Sequence, residues 1–294
     1  MKKLILIGLS LAALAAPAIA DAKLHVTASF SILGDMVKRV GGDLVDVSTI
    51  VGPDADTHVY EPKPADVQLI SKSQVLFVNG LGFEGWMTRF VDSSGFKGQV
   101  VTVSAGVASR QMEDDGKEIT DPHAWQNLAN GLIYVRNIEL GLCAADPTDC
   151  GTFKQNADAY SAEITALDTE VKAAIAKVEV QKRLVITTHD AFGYFGAAYG
   201  VKFEAPEGFS TESEAAAGDV AKLITQIKAQ HATALFFENM SDPRLIEQIG
   251  RETGVNPGGK LFADALSQDE GGGSYLEFFR HNVKLLVAAM SGPA

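Results

Sequence analysis

Phe153-Lys154-Gln155-Asn156-Ala157-Asp158-Ala159-Tyr160-Ser161-Ala162-Glu163-Ile164-Thr165-Ala166-Leu167-Asp168-Thr169-Glu170-Val171-Lys172-Ala173-Ala174-Ile175-Ala176-Lys177-Val178-Glu179-Val180 is rich in Ala, Glu and Lys and contains neither Gly nor Pro. Tyr160, Ile164, Leu167, Val171, Ile175 and Val178 recur at threes and fours, the spacing that lines apolar side chains along one face of a helix. At 1.5 Å per residue that helix runs about 40 Å, long enough to touch both halves of the molecule.

The chain on either side follows another grammar. Upstream, short β-branched runs at 24–30, 45–51, 75–78 and 100–103 alternate with helical patterns at 32–40, 64–71 and 85–91. Downstream, runs at 184–187, 201–203, 234–237 and 260–263 alternate with helical patterns at 191–199, 217–229, 244–253 and 275–290. Strands separated by helices of this length call for right-handed βαβ units and parallel sheets. The expected fold is α/β: two lobes, each a mainly parallel sheet flanked by helices, joined by one long linking helix. The divisions are an N-terminal lobe at 21–150, the linking helix at 151–182 and a C-terminal lobe at 183–294. Two polar stretches, Ala105 to Thr120 and Glu204 to Gly218, exceed ordinary connection lengths, so each is expected to be a mobile loop, functional or disordered.

Of the 294 residues, 46% are hydrophobic and 21% charged, which excludes a disordered chain and a multispan membrane protein. The formal charge of −12 repels phosphate backbones and excludes nucleic acid as a partner. Met1-Lys2-Lys3, the apolar run from Leu4 to Ala16 and Ala18-Ile19-Ala20 have the three parts of a secretory signal at 1–20, cleaved after Ala20. The run is short for a membrane span, which counts against a retained anchor. The mature chain then starts at Asp21 in the periplasm, and losing Lys2 and Lys3 takes the charge from −12 to −14. In that oxidising compartment Cys143 and Cys150, the two cysteines of the chain, read as a disulfide rather than as thiolate metal ligands.

Gly80-Leu81-Gly82-Phe83-Glu84-Gly85 fits the spacing of a dinucleotide fingerprint. It is not on the first strand, and no acidic residue closes the next one, so its glycines are read as a tight strand-to-helix turn. The chain carries no P-loop and no nucleophile elbow.

Three of the six histidines share a setting. His58 follows the strand ending at Val51, His123 lies in Asp121-Pro122-His123-Ala124-Trp125 before a helix, and His189 ends the run from Leu184. Asp264 ends Leu261-Phe262-Ala263 in the same way. Residues at the carboxyl ends of parallel strands converge on one crevice. Three neutral imidazoles with one carboxylate suit tetrahedral zinc, whereas manganese prefers more oxygen. Asp56, Asp121 and Asp190 are placed to orient the imidazoles. Spacing alone does not join four distant residues, and each also reads as an ordinary satisfied polar group at a strand end. That reading is preferred for His25, His231 and His281.

The words around these residues narrow the choice. Thr57-His58-Val59-Tyr60-Glu61-Pro62-Lys63-Pro64-Ala65-Asp66, Asp121-Pro122-His123-Ala124-Trp125, Thr188-His189-Asp190-Ala191-Phe192-Gly193-Tyr194-Phe195 and Ala263-Asp264-Ala265-Leu266 resemble, in order, the four ligand segments of the zinc/manganese substrate-binding proteins of bacterial ABC importers, the cluster 9 or A-I group. The resemblance covers nearly the whole mature chain. It implies that His58, His123, His189 and Asp264 hold the metal, with His at the third position marking zinc (Zn2+) where Glu would mark manganese. It implies a membrane permease as partner. The chain departs from many zinc members in lacking a His-rich loop before the second ligand. Ala105 to Thr120 is acidic instead, which leaves capture to a zinc delivery protein or to Glu113, Asp114 and Asp115.

A shell closed by four protein ligands leaves no position for an activated water. The expectation is therefore a monomeric binding protein that takes zinc in the interlobe cleft and passes it to a permease, not an enzyme. The alternatives are a manganese-specific binding protein, a periplasmic zinc-dependent hydrolase with Asp264 or Glu61 as base, and a metal-independent surface protein.

Overall fold

The computed structural model describes residues 23–114, 117–212, 215–230, 232 and 234–292. The expected signal peptide, its cleavage point at Ala20, Asp115 and His231 lie outside the described residues. Among the described residues, no helix is long and apolar enough to cross a membrane.

The first lobe runs β1 (Leu24–Phe30), α1 (Ser31–Gly41), β2 (Val45–Val51), α2 (Pro64–Ser71), β3 (Val75–Val78), α3 (Met87–Ser94) and β4 (Gln99–Thr102). Its four strands are all parallel, in the order β2-β1-β3-β4. The central strand β1 is buried on both faces apart from His25, hence its near-continuous apolar run. The Gly80–Gly85 turn follows β3, with positive φ at Gly80 and Gly82. It closes on the buried Glu84, whose carboxylate takes the Asn79 and Gly80 N–H groups and the Ser29 hydroxyl. The backbone donors that a phosphate would use are thus engaged by the protein's own carboxylate.

From 105 to 120 the structure differs from the expected irregular loop. It forms an antiparallel hairpin of β5 (Gln111–Asp114) and β6 (Lys117–Thr120), with Met112 opposite Ile119.

Two helices follow, α4 (Leu128–Ala145) and α5 (Cys150–Ile175), stapled across their turn by the Cys143–Cys150 disulfide. Closing so short a loop contributes about 2–3 kcal/mol. Helix α5 spans 26 residues and buries Phe153, Ala157, Tyr160, Ile164, Leu167, Val171 and Ile175 in one stripe. It stops short of Val178, where Arg183 donates twice to the Val178 carbonyl and caps the exit.

The second lobe contains β7 (Leu184–Ile186), α6 (Gly193–Tyr199), β8 (Lys202–Glu204), α7 (Ala217–Gln230), β9 (Ala234–Leu235), β10 (Phe237–Glu238), α8 (Arg244–Thr253), β11 (Lys260–Leu261) and α9 (Tyr275–Met290). The single strand expected at 234–237 breaks at Phe236 and changes partner: β9 pairs with β7, and β10 pairs with β11. Side by side, β8, β7, β9/β10 and β11 repeat the strand order of the first lobe. The break has a use, because it brings Glu238 back against His189.

One core runs through both lobes. Trp125 and Tyr134 from the first lobe, the α5 stripe, and Phe192, Phe195, Tyr275 and Phe278 from the second belong to a single apolar cluster. A smaller cluster around Ile186, Leu223, Ile246 and Ile249 fills the outer side of the second lobe. Polar bonds stitch the same seam: Tyr275 Oη to the Trp125 carbonyl, Tyr275 N–H to Asp35, and Leu266 N–H to Ser31 Oγ. Opening the lobes widely would expose this shared core, which opposes a large hinge motion.

Candidate metal centre

His58 sits seven residues beyond β2. The Asp56 carboxylate accepts its backbone N–H at 2.9 Å, and Trp86 Nε1 donates to the Thr57 carbonyl at 2.9 Å. The His58 ring meets the Phe83 ring edge-on, with centroids 4.9 Å apart. His123 is set by Asp121, whose Oδ1 accepts both the His123 N–H at 3.0 Å and ring Nδ1 at 2.9 Å. With Nδ1 engaged as donor, Nε2 is left free to ligate a metal. His189 is set by Glu238, which takes the Thr188 and His189 N–H groups and also His189 Nδ1. Asp264 follows β11, and the preceding Ala263 carbonyl accepts from Trp125 Nε1 and Gln126 Nε2 of the other lobe.

These four side chains meet, and their donor atoms all lie within 4.8 Å of one another. Asp264 Oδ2 is 3.1 Å from both His58 Nε2 and His189 Nε2. His123 Nε2 is 3.4 Å from His58 Nε2 and 3.8 Å from Asp264 Oδ1. At bonds of roughly 2.0–2.1 Å, the edge of a tetrahedral zinc shell is about 3.3 Å, so the cluster is already near the dimensions of such a shell. Asp264 Oδ1 is buried without a hydrogen-bond partner, a costly state that a bound cation relieves. His58 is 5% exposed, and the other three are fully buried.

The charges fit the same picture. Burial drives Asp264 up, but the neighbouring His189 and His123 and the hydrogen bonds from His189 and His58 outweigh it and hold the carboxyl well below its usual range. Burial pulls His189 down, yet Glu238 and Asp264 overcome that and raise it well above the ordinary imidazole value. Burial dominates at His58 and lowers it.

The segment after β8 covers the centre. Phe209 lies edge-on to His58 with centroids 6.2 Å apart. Thr211 Oγ1 donates to Asp56 Oδ2 at 2.6 Å, tying the covering segment to the opposite lobe. Asp54, at φ +57°, makes a parallel tie through Asn239 Nδ2 and the Gln268 N–H.

Two sequence expectations are corrected here. Asp56 orients the His58 backbone and the covering segment, not an imidazole. Asp190 is a buried carboxyl raised by desolvation and by Asp121, and among the described residues it bonds neither imidazole. Glu238 takes the role assigned to Asp190. It was missed although it ends a short apolar run, Phe236-Phe237-Glu238, as Asp264 does. Asp121 acts on His123 as expected. Gly193 belongs to the same arrangement: a Cβ there would lie 2.7 Å from Asp121 Oδ2 and 2.2 Å from Arg110 Nη1. Of the other histidines, His25 pairs with Asp46 at the surface, and His281 donates from Nε2 to the Lys260 carbonyl while stacked on Phe262.

Two α/β lobes sharing one core, with three imidazoles and a carboxylate sealed at their seam, define a metal-binding protein of the substrate-binding class rather than an enzyme. The chain belongs to the family described as Zinc-uptake complex component A periplasmic, whose sequence model matches residues 26–289. It is 35% identical over 271 residues to the iron ABC transporter substrate-binding lipoprotein MtsA of Streptococcus pyogenes serotype M1, covering 89% of this chain and 87% of that one. It is 31% identical over 283 residues to a metal ABC transporter substrate-binding lipoprotein of Lactococcus lactis, covering 93% and 90%. Among solved structures, the periplasmic zinc-binding protein TroA of Treponema pallidum is similar at a TM-score of 0.86 and 28% identity, covering 92% of this chain and 99% of TroA. A Mn-bound periplasmic metal-binding protein of Candidatus Liberibacter asiaticus gives 0.81 and 29%, covering 91% and 100%. The protein is thus the metal-binding component of an ABC importer, working outside the cytoplasmic membrane with a membrane permease as partner. The hydrolase and surface-protein alternatives fall away.

Proposed function

We propose that this is a periplasmic zinc-binding protein, with His58, His123, His189 and Asp264 as the ligands, that captures zinc between its lobes and delivers it to the permease. The observation that carries this reading is the convergence of four donor atoms within 4.8 Å in a sealed pocket. The metals named for its relatives differ, so the choice of zinc rests on the donor set: three nitrogens and one carboxylate, at tetrahedral separations. The protein works as a monomer whose mature chain starts at Asp21, and zinc reaches it from a delivery protein or with the help of Glu113, Asp114 and Asp115. Metal analysis of the protein purified from the periplasm tests the reading. The expected result is one zinc per chain that a hundredfold excess of manganese does not displace; preferential retention of manganese or iron would overturn it.

The electrostatics add a pH prediction. Below its raised value His189 keeps a proton that the cation must expel; above it the nitrogen is ready to ligate. Affinity therefore rises with pH through the ordinary imidazole range near 6.5 and continues to rise beyond it. Titration calorimetry at pH 7, in buffers of different ionisation enthalpy, should read about one proton released per zinc. Binding without proton release would contradict the assignment of His189.

A further inference from the structure

A groove of about 650 Å³ lies between the start of α2 and α3 in the first lobe. Trp86 and Phe90 form its floor, and Pro62, Lys63, Pro64 and Arg89 stand around it. Trp86 and Phe90 are largely buried with one edge open, whereas Lys63, Pro64 and Arg89 are exposed. Among the described residues neither Lys63 nor Arg89 forms an ion pair, and the Lys63 ammonium rests over the Tyr60 ring at 5.9 Å. On a chain of net charge −12, an aromatic groove flanked by two cations that form no ion pair among the described residues is complementary to an acidic partner with an apolar tip.

Its position adds a second argument. Helices α2 and α3 start at the carboxyl ends of β2 and β3, the end of the sheet that carries His58. Pro62 lies four residues beyond His58, and Trp86 holds the carbonyl of Thr57, the residue before it. Whatever presses into this groove therefore bears on the backbone of a ligand segment. Trp86 is the link, packed between Tyr60 at 5.4 Å and Phe90 at 5.8 Å.

We propose that this groove is the docking surface for the importer's permease, and that it receives an outward-facing acidic loop of that permease. The inference rests on the importer role given above and adds the surface and the chemistry of the contact. Docking at Lys63 and Arg89 seats the loop, and the Trp86–Thr57 bond couples that contact to His58.

The test uses the full chain carrying Lys63→Glu and Arg89→Glu, the neutral pair Lys63→Gln and Arg89→Gln, and a distant control with the same charge change, Lys177→Glu and Lys228→Glu. Radioactive zinc uptake is measured in cells lacking the chromosomal copy and complemented with each form. Zinc affinity and oligomeric state are measured on the purified proteins. The groove reversal should lower uptake about tenfold or more, the neutral pair less, and the distant control under twofold, with affinity unchanged throughout. The proposal is overturned if the reversal transports like the wild type, if the distant control falls as far, if affinity falls in parallel, or if the change is in self-association alone. Failure of the wild-type copy to restore uptake would instead strike the importer reading itself.

Discussion

Free zinc at a thousandfold excess over its dissociation constant should raise the melting temperature by roughly 8–16 °C, and His189→Ala should abolish that gain. The size follows from mass action: binding to the folded state alone contributes about 4 kcal/mol at that excess, and each kcal/mol shifts a chain of this size by about 2–4 °C. The loss follows from geometry. His189 Nε2 is one of four donors and stands 3.1 Å from Asp264 Oδ2, so its removal opens the shell and takes away the strongest partner of a buried carboxylate. The metal-free variant should also melt below the metal-free wild type, because Glu238 and Asp264 are left facing each other without the charge between them; uncompensated buried charge costs about 3–5 kcal/mol. Differential scanning calorimetry with and without zinc reads both effects. A His189→Ala protein that keeps the full metal-dependent shift would remove His189 from the site.

The second large effect belongs to Glu238→Gln, which should weaken zinc binding about 100-fold, the upper end for a residue that orients a ligand. Glu238 takes two backbone N–H groups and the proton on His189 Nδ1. A glutamine keeps an acceptor for the backbone but turns an amide donor toward Nδ1. The ring proton then moves to Nε2, the nitrogen that has to face the cation. Asp190→Asn, by contrast, should stay within about threefold, because that carboxyl bonds no imidazole and lies outside the orienting set. Competition against a chromophoric chelator measures both. Equal losses in the two variants would show that the site responds to nearby negative charge in general, not to the tautomer of His189.

That contrast marks where the sequence was readable. The long helix and the βα alternation were visible because each depends on local periodicity. The rule that strand ends converge offered His58, His123, His189 and Asp264 only as separate candidates, and the resemblance of their flanking segments joined them into one set. Glu238 obeys the same rule, but it ends a strand two residues long that exists only because the run 234–238 changes partner midway. Asp190 looked better placed because it adjoins His189 in the chain, and adjacency says little about which way a side chain points. The hairpin at 111–120 was hidden by its polar strands, since alternation is the usual signal and only Met112 and Ile119 carry it. Asp56 was picked out as relevant for the wrong reason: its bond to Thr211 crosses between lobes, a partnership 155 residues apart that no local pattern announces.

The cover over the centre sets a clock as well as a barrier. With none of His58, His123, His189 and Asp264 more than 5% exposed, and Phe209 lying against His58 in a segment tied across by the Asp56–Thr211 bond, an ion held by the four would leave as residues 205–212 lift. Its dwell time in solution then reports the frequency of that lifting more than the strength of the metal bonds, so two forms of equal affinity can differ in how fast they empty. A receiver needing the ion sooner must prise the mouth open itself, which makes hand-over a two-party event and keeps idle carriers from leaking their load.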